Sequence, residues 1–223
     1  MSDARWDPHG SLRRALWIGG AQWAGKTTVA ELLAEQHGLT VYHYDYHDAR
    51  GHRDRRIARR IALGEPLAEP DPDRTWSDRT PEQMAADTLA GFPARFGWAL
   101  DDLRALYTGR PAIAEGWGLR PELVAPLLDA PRRMAVLVPT EEFRRHQLRV
   151  LPRAGALGVP VRDPARAQAN RVARDRLVAE DAVRHARRLG IRVLEVDGTR
   201  DATAVAADLA DQFAPYLAAS AAA

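Results

Sequence analysis

The sequence of 223 residues contains no cysteine. This absence excludes disulfide bonds and metal sites built on thiolates, and it favours a reducing compartment. Long apolar runs are also absent, since none approaches the roughly 20 residues that a membrane-spanning helix needs. The first residues, Met1 to Ser11, are polar and lack the apolar core of a signal peptide. We therefore predict a cytoplasmic protein that does not contact a membrane.

Lysine is nearly absent as well. Of the 32 basic residues, Lys26 is the only lysine, and all the others are arginines. They are balanced by 30 acidic residues, which leaves a formal net charge of +2. No basic stripe alternates with aromatic residues, so the composition disfavours a nucleic-acid partner. The length and the hydrophobic content of 46% predict a single α/β domain with its own core.

The single lysine lies in the most informative segment of the chain. Residues Gly20 to Thr27 match the pattern G-x-x-x-x-G-K-[ST] of a phosphate-binding loop, between an apolar run and the start of an apolar-periodic helix. The glycines let the backbone approach a polyphosphate, and the loop amides and helix N-terminus direct partial positive charge at it. Lys26 is placed to reach the β- and γ-phosphates, and the Thr27 hydroxyl to bind the Mg²⁺ that bridges them. The predicted nucleotide-binding residues here are Gly20, Ala21, Gln22, Trp23, Ala24, Gly25, Lys26, Thr27 and Thr28.

A glycine-rich turn with an incidental lysine is the structural alternative for this loop. The composition weighs against it, because a chain that uses arginine at every other basic position has an ammonium group here. A planar guanidinium group would not replace that compact ammonium in a phosphate cradle.

Five apolar or β-rich runs alternate with helical patterns along the chain. The predicted strands are Ala15–Ile18, Leu39–His43, Ala112–Ala114, Met134–Val138 and Ile191–Val196. The predicted helices continue from the loop to His37 and then cover Arg50–Ile61, Pro81–Phe92, Pro93–Tyr107, Pro121–Leu128, Thr140–Arg149, Ala165–Leu189 and Ala202–Leu217. The segment Ala165–Leu189 is either one long amphipathic helix or a pair of helices. This alternation predicts a parallel sheet with the ligand at the carboxyl ends of its strands.

Parts of the sequence resemble the small P-loop kinases: nucleoside monophosphate, shikimate, gluconate and uridine kinases and the chloramphenicol phosphotransferase type. The resemblance covers about Leu12 to Leu217 and is carried by Gly20–Thr27, Ile113–Gly116 and the ending from Leu177–Glu180 to Val196–Gly198. It implies a three-layer P-loop NTPase fold with a five-stranded parallel sheet in the order 2-3-1-4-5. It also implies ATP as a cofactor, with GTP not excluded, and Mg²⁺.

The same resemblance suggests how the chain is divided. A single kinase-like domain at residues 12–217 lies between a disordered tail at 1–11 and a frayed tail at 218–223. Within that domain, residues 50–110 form a helical substrate-binding insert and residues 150–176 form the lid region. Leu151–Pro164 is rich in proline and glycine and lacks periodicity, so we predict a loop there.

Two acidic residues follow strands and are candidates for the reaction. In the kinases that the chain resembles, an acid at the position of Asp45 contacts the acceptor hydroxyl and can act as its base; a turn-forming aspartate is the alternative, and Asp48 is a second candidate. Glu115 corresponds to the acid that holds an Mg²⁺-bound water or the substrate, although aspartate is commoner there and a solvated strand-end glutamate is the alternative. A metal site of His43, Asp45 and His47 is disfavoured because it needs a bent strand.

Arginines are too numerous to assign from position alone, and most should lie on solvated faces. In the resembling kinases, lid arginines close over the phosphates and stabilise the charge that is transferred. We favour Arg171 and Arg174, which share one helix face directly after the proline- and glycine-rich loop. Gly198 and Thr199 correspond to the loop beside the nucleotide base.

These features lead to one functional hypothesis and two rivals. The first is an ATP-dependent phosphotransferase that acts on a hydroxyl of a small molecule, with catalytic groups Lys26, Asp45, Arg171 and Arg174. The nearest rival is a nucleoside or nucleoside monophosphate kinase. A rival of another class is a nucleotide-binding regulator or NTP hydrolase without an acceptor.

Overall fold

The computed structural model describes residues 6–106 and 108–220. A five-stranded sheet lies at its centre, and every pair of neighbouring strands is parallel. The strands are β1 (Leu16–Gly20), β2 (Thr40–His43), β3 (Ala112–Glu115), β4 (Met134–Pro139) and β5 (Arg192–Val196). Their spatial order is β2-β3-β1-β4-β5, which confirms the sheet that the sequence predicts.

Helices lie on both faces of this sheet. They are α1 (Ser11–Arg14), α2 (Lys26–His37), α3 (Tyr44–Tyr46), α4 (Arg53–Ala62), α5 (Pro72–Trp76), α6 (Pro81–Ala105), α7 (Pro121–Val124), α8 (Glu141–Val150), α9 (Pro152–Gly155), α10 (Pro164–Arg188) and α11 (Ala202–Ser220). A π-helical turn occupies His47–Gly51, and short 3-10 turns occupy Ala125–Leu127 and Pro131–Arg133. Within the described residues, no helix has the length and apolar character needed to cross a membrane.

The central strand β1 is buried along its whole length, as expected for a parallel strand with helices on both faces. Its successive side chains enter two different apolar cores. Trp17 belongs to the core on one face, together with Phe96 of α6 and Ala182 of α10. Ile18 belongs to the core on the other face, together with Leu33 of α2. The sheet is therefore held between two helical layers, and the carboxyl ends of its strands form one common edge.

A single helix replaces the two that the sequence predicts at Pro81–Phe92 and Pro93–Tyr107. Helix α6 runs through the internal proline and ends at Ala105, while the last residue of the predicted pair lies outside the described residues. Phe92 and Phe96, on either side of the proline, are both buried. Packing therefore stabilises the helix across a residue that has no N–H to donate.

Three other segments differ from the prediction. The segment Arg50–Ile61 begins inside the π-helical turn and becomes α-helical only at α4. The loop predicted at Leu151–Pro164 contains the short helix α9. Helix α5 forms at Pro72–Trp76, where the sequence pattern predicts no helix because the segment is too short to show a periodicity.

The two predicted tails lie partly outside the described residues, which exclude 1–5 and 221–223. The part of the first tail that is described is ordered: the Trp6 carbonyl accepts a 2.7 Å hydrogen bond from Arg104 Nε, and Gly10 caps α1. The part of the second that is described continues α11 to Ser220. Both ends of the domain thus extend further into the tails than the sequence predicts.

Candidate active site

The loop between β1 and α2 has the backbone conformation that its sequence requires. Gly20 and Gly25 have φ angles of 116° and 76°, in the region that glycine adopts without strain. Gly25 is also the N-cap of α2, so the helix begins at Lys26. Trp23 is the one non-glycine residue of the described chain with positive φ, at 65°. A bulky residue in this region is uncommon and costs free energy, which marks the loop as a specialised segment.

The lysine of the loop is held inside it. Lys26 is only 5% exposed, and its Nζ donates a hydrogen bond of 2.7 Å to the Ala21 carbonyl oxygen. An ammonium has three donors, so this bond leaves two for other acceptors. The side chain is therefore fixed at the base of the loop with donor capacity remaining.

A cleft of about 590 Å³ opens in front of this loop. Its walls come from the loop and the start of α2, from α8 and α9, and from the segment that joins β5 to α11. The lining residues are Gln22, Trp23, Ala24, Gly25, Lys26, Thr27, Thr28, Val29, Asp45, Phe143, Gln147, Leu151, Arg153, Val196, Gly198, Arg200, Asp201, Ala202 and Val205. The structure thus brings seven residues of the loop, together with Asp45 and Gly198, to one cavity.

Asp45 is oriented by the segment that follows β3. Its Oδ1 accepts a hydrogen bond of 3.0 Å from the Trp117 backbone N–H. The neighbouring Gly116 has a φ of 151°, and a Cβ there would lie 2.8 Å from the same oxygen. A residue without a side chain is therefore needed for this approach. The arrangement leaves the second carboxylate oxygen for a ligand in the cleft.

Glu115 is placed beside the loop by the strand order. It pairs in register with Ile18 of β1 on one side and with His43 of β2 on the other. The side chain is buried, and its Oε1 lies 2.9 Å from His43 Nδ1. Burial raises the pKa of this carboxyl above its ordinary value, while the Lys26 charge and the His43 hydrogen bond act in the opposite direction. Glu115 Oε2 is buried without a hydrogen-bond partner among the described residues.

The residues present fit a nucleotide polyphosphate and its divalent cation. A Cβ built on Gly25 meets nothing within 4 Å, so the space in front of the helix N-terminus is open. The Thr27 side chain, next in the chain to the buried lysine, is exposed at that end of α2. The orphaned Glu115 oxygen offers a hard ligand of the kind that Mg²⁺ or its bound water prefers.

The arginines favoured from the sequence do not line the cleft. Arg171 donates to the carbonyl oxygens of Ala154 and Ala156, the latter over 3.0 Å, and its guanidinium lies 5.8 Å from the Trp23 ring centroid. It therefore connects the segment around α9 to Trp23 of the loop. Burial lowers the pKa of Arg171, although the guanidinium stays charged at neutral pH.

Arg174 has a different environment. Its Nε lies 2.7 Å from Asp175 Oδ1, and its guanidinium lies 5.2 Å from the Trp76 ring centroid and 5.3 Å from that of Trp117. The Trp117 N–H is the group that orients Asp45. Arg174 thus lies on the Asp45 side of the molecule, against two tryptophans.

Arg153 of α9 and Arg200, after β5, are the arginines that do line the cleft. Sequence reasoning missed them because nothing in their spacing separates them from the other arginines. Arg200 is partly engaged, since it also pairs with Asp208 at 3.0 Å. Gly198 borders the cleft, whereas the Thr199 N–H and hydroxyl bond Asp197 Oδ1 at 2.9 and 2.7 Å.

The histidines beside Asp45 do not form a metal site with it. His43 contacts Glu115, while His47 Nδ1 lies 3.5 Å from Asp102 Oδ2 on the other side. Asp45 belongs to none of the potential metal-binding groups found among the described residues.

No protein-family model matches the chain, and no curated protein gives a significant match. Among solved structures, a shikimate kinase from Acinetobacter baumannii in complex with shikimate is 15% identical with a TM-score of 0.48, covering 92% of this chain and 96% of that one. A gluconokinase from Sinorhizobium meliloti 1021 is 15% identical with a TM-score of 0.46, covering 93% and 95%. A shikimate kinase from Aquifex aeolicus is 12% identical with a TM-score of 0.41, covering 90% and 96%. These are kinds of enzyme that the sequence motifs resemble, but such distant likenesses carry no argument about activity.

Proposed function

We propose that this protein is an ATP-dependent phosphotransferase that moves the γ-phosphoryl group to a hydroxyl of a small molecule. One observation carries the proposal: the phosphate-binding loop with its buried lysine and the Asp45 carboxylate face the same cleft. Phosphoryl transfer needs a phosphate cradle and an oriented acceptor with a nearby proton acceptor, and little covalent help. Residues suited to both requirements line one cavity, which supports the proposal.

The loop supplies the charge stabilisation. Lys26 holds the β- and γ-phosphates with the backbone amides of Gly20 to Gly25, and Thr28 closes the cradle at the start of α2. The Thr27 hydroxyl binds Mg²⁺, which neutralises charge on the phosphates when it is present. Glu115 contributes a carboxylate on the same side, either to an Mg²⁺-bound water or to the substrate.

Asp45 acts on the acceptor. Its carboxylate is held by the Trp117 N–H, and in that position it orients the acceptor hydroxyl and accepts its proton. The helical insert that follows Asp45 in the chain selects the small molecule. We assign charge stabilisation during transfer to Arg171 and Arg174 after closure of the lid, with Arg153 as a further candidate because it already lines the cleft. Gly198 and Thr199 border the nucleotide base.

The proposal is tested by ADP release from MgATP in the presence of a panel of sugars, hydroxy acids, antibiotics, nucleosides and nucleoside monophosphates. We expect one class of hydroxyl compound to accelerate ADP release and to appear as a phosphorylated product. Acceleration by nucleosides or their monophosphates alone would select the nucleoside kinase instead. Slow ADP release that no compound accelerates would select an NTP hydrolase or regulator.

Two variants separate nucleotide binding from transfer. Lys26→Met should abolish turnover and weaken binding of MgATP, whereas the folded structure persists. Asp45→Asn should keep nucleotide binding and lose roughly 10²–10⁴-fold in turnover, the usual contribution of a general base. Near-normal turnover of Lys26→Met would contradict the proposal as a whole, and near-normal turnover of Asp45→Asn would remove only the role of Asp45.

A further inference from the structure

A cluster of two imidazoles and a carboxylate lies outside the nucleotide cleft. It consists of His47, His52 and Asp102, whose ligand atoms all lie within 4.8 Å of one another. Asp102 Oδ2 is 2.6 Å from His52 Nε2 and 3.5 Å from His47 Nδ1. None of these side chains lines the cleft, so the proposed transfer reaction leaves them without a role.

The π-helical turn at His47–Gly51 brings the two imidazoles together. Its i→i+5 hydrogen bond joins the His52 N–H to the His47 carbonyl oxygen at 2.8 Å. In an α-helix, residues five apart point in different directions, because facing residues are three or four apart. Here the two rings have centroids 5.7 Å apart and face the same carboxylate. Such turns are rare and occur frequently at functional sites.

The surroundings hold the carboxylate and one imidazole in position. Arg55 lies 3.2 Å from the other oxygen, Asp102 Oδ1, and the Tyr42 hydroxyl donates to Oδ2 at 2.9 Å. The Tyr42 ring also stacks on His47 with centroids 4.5 Å apart. At metal sites, hydrogen-bonding neighbours of this kind hold the metal ligands in position. His52 is only 2% exposed, whereas His47 is partly exposed and leaves a path from solvent.

We propose that His47, His52 and Asp102 bind a divalent transition-metal ion of the zinc class. Two neutral imidazoles and one carboxylate are a donor set that suits such ions, with a further position left for water or the Tyr42 oxygen. Bonds of about 2.1 Å to a tetrahedral ion place ligand atoms roughly 3.4 Å apart. Small side-chain rotations reach that spacing from the distances observed. The ion would join the turn after β2 to α6.

A second mixed cluster provides a contrast within the same chain. Glu122, Asp181 and His185 also lie within ligand distance of one another. The buried Arg120 guanidinium, however, bonds both carboxylates directly, at 3.2 Å to Glu122 and 2.5 Å to Asp181. A fixed cation already occupies the centre of that cluster. In the proposed site the arginine contacts the far carboxylate oxygen, and the oxygen that faces the imidazoles, Asp102 Oδ2, is contacted by Tyr42 and His52 rather than by an arginine.

The test is a titration of the tag-free, nucleotide-free protein with CoCl₂, followed by displacement with ZnCl₂. Cobalt bound to two imidazoles in a four- or five-coordinate site has strong visible d–d bands, whereas the phosphate-binding loop offers only oxygen ligands and gives a weak spectrum. We expect one equivalent of strongly absorbing cobalt, displaced by zinc. Zinc at 100-fold excess over its dissociation constant should raise the unfolding midpoint by roughly 5–10 °C.

Variants decide between this site and a metal-free hydrogen-bonded cluster. His47→Gln changes a partly exposed ligand and should weaken cobalt affinity at least about tenfold without loss of the fold, and Asp102→Asn should do the same. Glu122→Gln, in the contrasting cluster, is the matched control and should bind cobalt as the wild type does. The proposal is overturned if the wild type shows no strongly absorbing cobalt, or if His47→Gln binds it unchanged.

Discussion

Gly20 offers a sharp test of how the loop between β1 and α2 is built. A Cβ at this position would clash with the backbone of Leu137. It would lie closer than van der Waals contact to the Leu137 carbonyl oxygen, 2.7 Å from the Leu137 nitrogen and 2.9 Å from the Leu137 carbonyl carbon. These are backbone atoms of the neighbouring strand β4, so no flexible side chain can move aside. The Ala21 N–H donates to the same Leu137 oxygen at 2.9 Å. Gly20→Ala must therefore separate two central strands where the loop begins.

The cost follows from three contributions. A non-glycine residue held at the Gly20 φ of 116° loses about 1–3 kcal/mol. Overpacking against the β4 backbone adds about 1–3 kcal/mol, and loss of the Ala21 hydrogen bond about 1 kcal/mol. Alanine also restricts the conformations of the unfolded chain, which stabilises the folded state by about 0.4–1 kcal/mol. Because strand separation relieves part of the overpacking, we expect a loss of roughly 2–5 kcal/mol in the free energy of unfolding.

Gly25→Ala is the matched control. Its φ of 76° is also positive, but a Cβ there meets nothing within 4 Å. The strain of about 1–2 kcal/mol is largely offset because alanine also restricts the conformations of the unfolded chain. We therefore expect urea denaturation to show a loss of about 1 kcal/mol or less in the free energy of unfolding. The methyl group instead enters the cleft, and MgATP affinity should fall at least about tenfold, or 1.4 kcal/mol. Equal losses of unfolding free energy in the two variants would refute the packing argument.

Two further predictions concern other parts of the fold. Burial raises the pKa of Glu115 above its ordinary 4.5, so the folded protein binds this proton more tightly than the unfolded chain does. The protonated carboxyl therefore stabilises the fold at low pH, and this stabilisation is lost as the pH rises through the raised pKa. The unfolding free energy of Glu115→Gln, measured in urea from pH 4 upward, should therefore rise relative to wild type as the pH passes 4.5; a difference independent of pH would contradict this. Thr80→Ala removes the capping box that Thr80 and Gln83 form at the start of α6 and should cost about 1 kcal/mol in the same assay, whereas an unchanged midpoint would show that α6 does not depend on its cap.

The sequence was sufficient for the sheet and for the loop because both depend on local patterns. Strands β1, β3 and β4 are short apolar runs buried along their whole length, as is typical of a parallel sheet with helices on both faces. The loop needs glycine at two defined backbone positions, and Gly20 and Gly25 have the positive φ angles expected of them. The positive φ of Trp23 could not have been predicted, because no property of tryptophan favours that conformation.

Features that depend on tertiary contacts escaped prediction. The internal proline of α6 indicated two helices, but burial of Phe92 and Phe96 holds one. The π-helical turn has no local pattern of its own, and the His52 imidazole at its end meets a carboxylate that lies 50 residues further along the chain. Residue type and spacing in the sequence do not distinguish the candidate arginines from one another. Only the folded chain shows that Arg153 borders the cleft while Arg171 bonds the carbonyl oxygens of Ala154 and Ala156.

The single lysine shows how composition and geometry support one another. A guanidinium presents five donors in a rigid planar fork, whereas an ammonium is compact and turns its three donors freely. Lys26 is 5% exposed and donates to the Ala21 carbonyl oxygen within its own loop. A planar fork directs its donors along fixed lines, whereas an ammonium bonded to this oxygen keeps two donors that can turn toward other acceptors. The requirement for a small cation thus comes from the loop interior, and it accounts for lysine at this position in a chain whose other basic residues are all arginines.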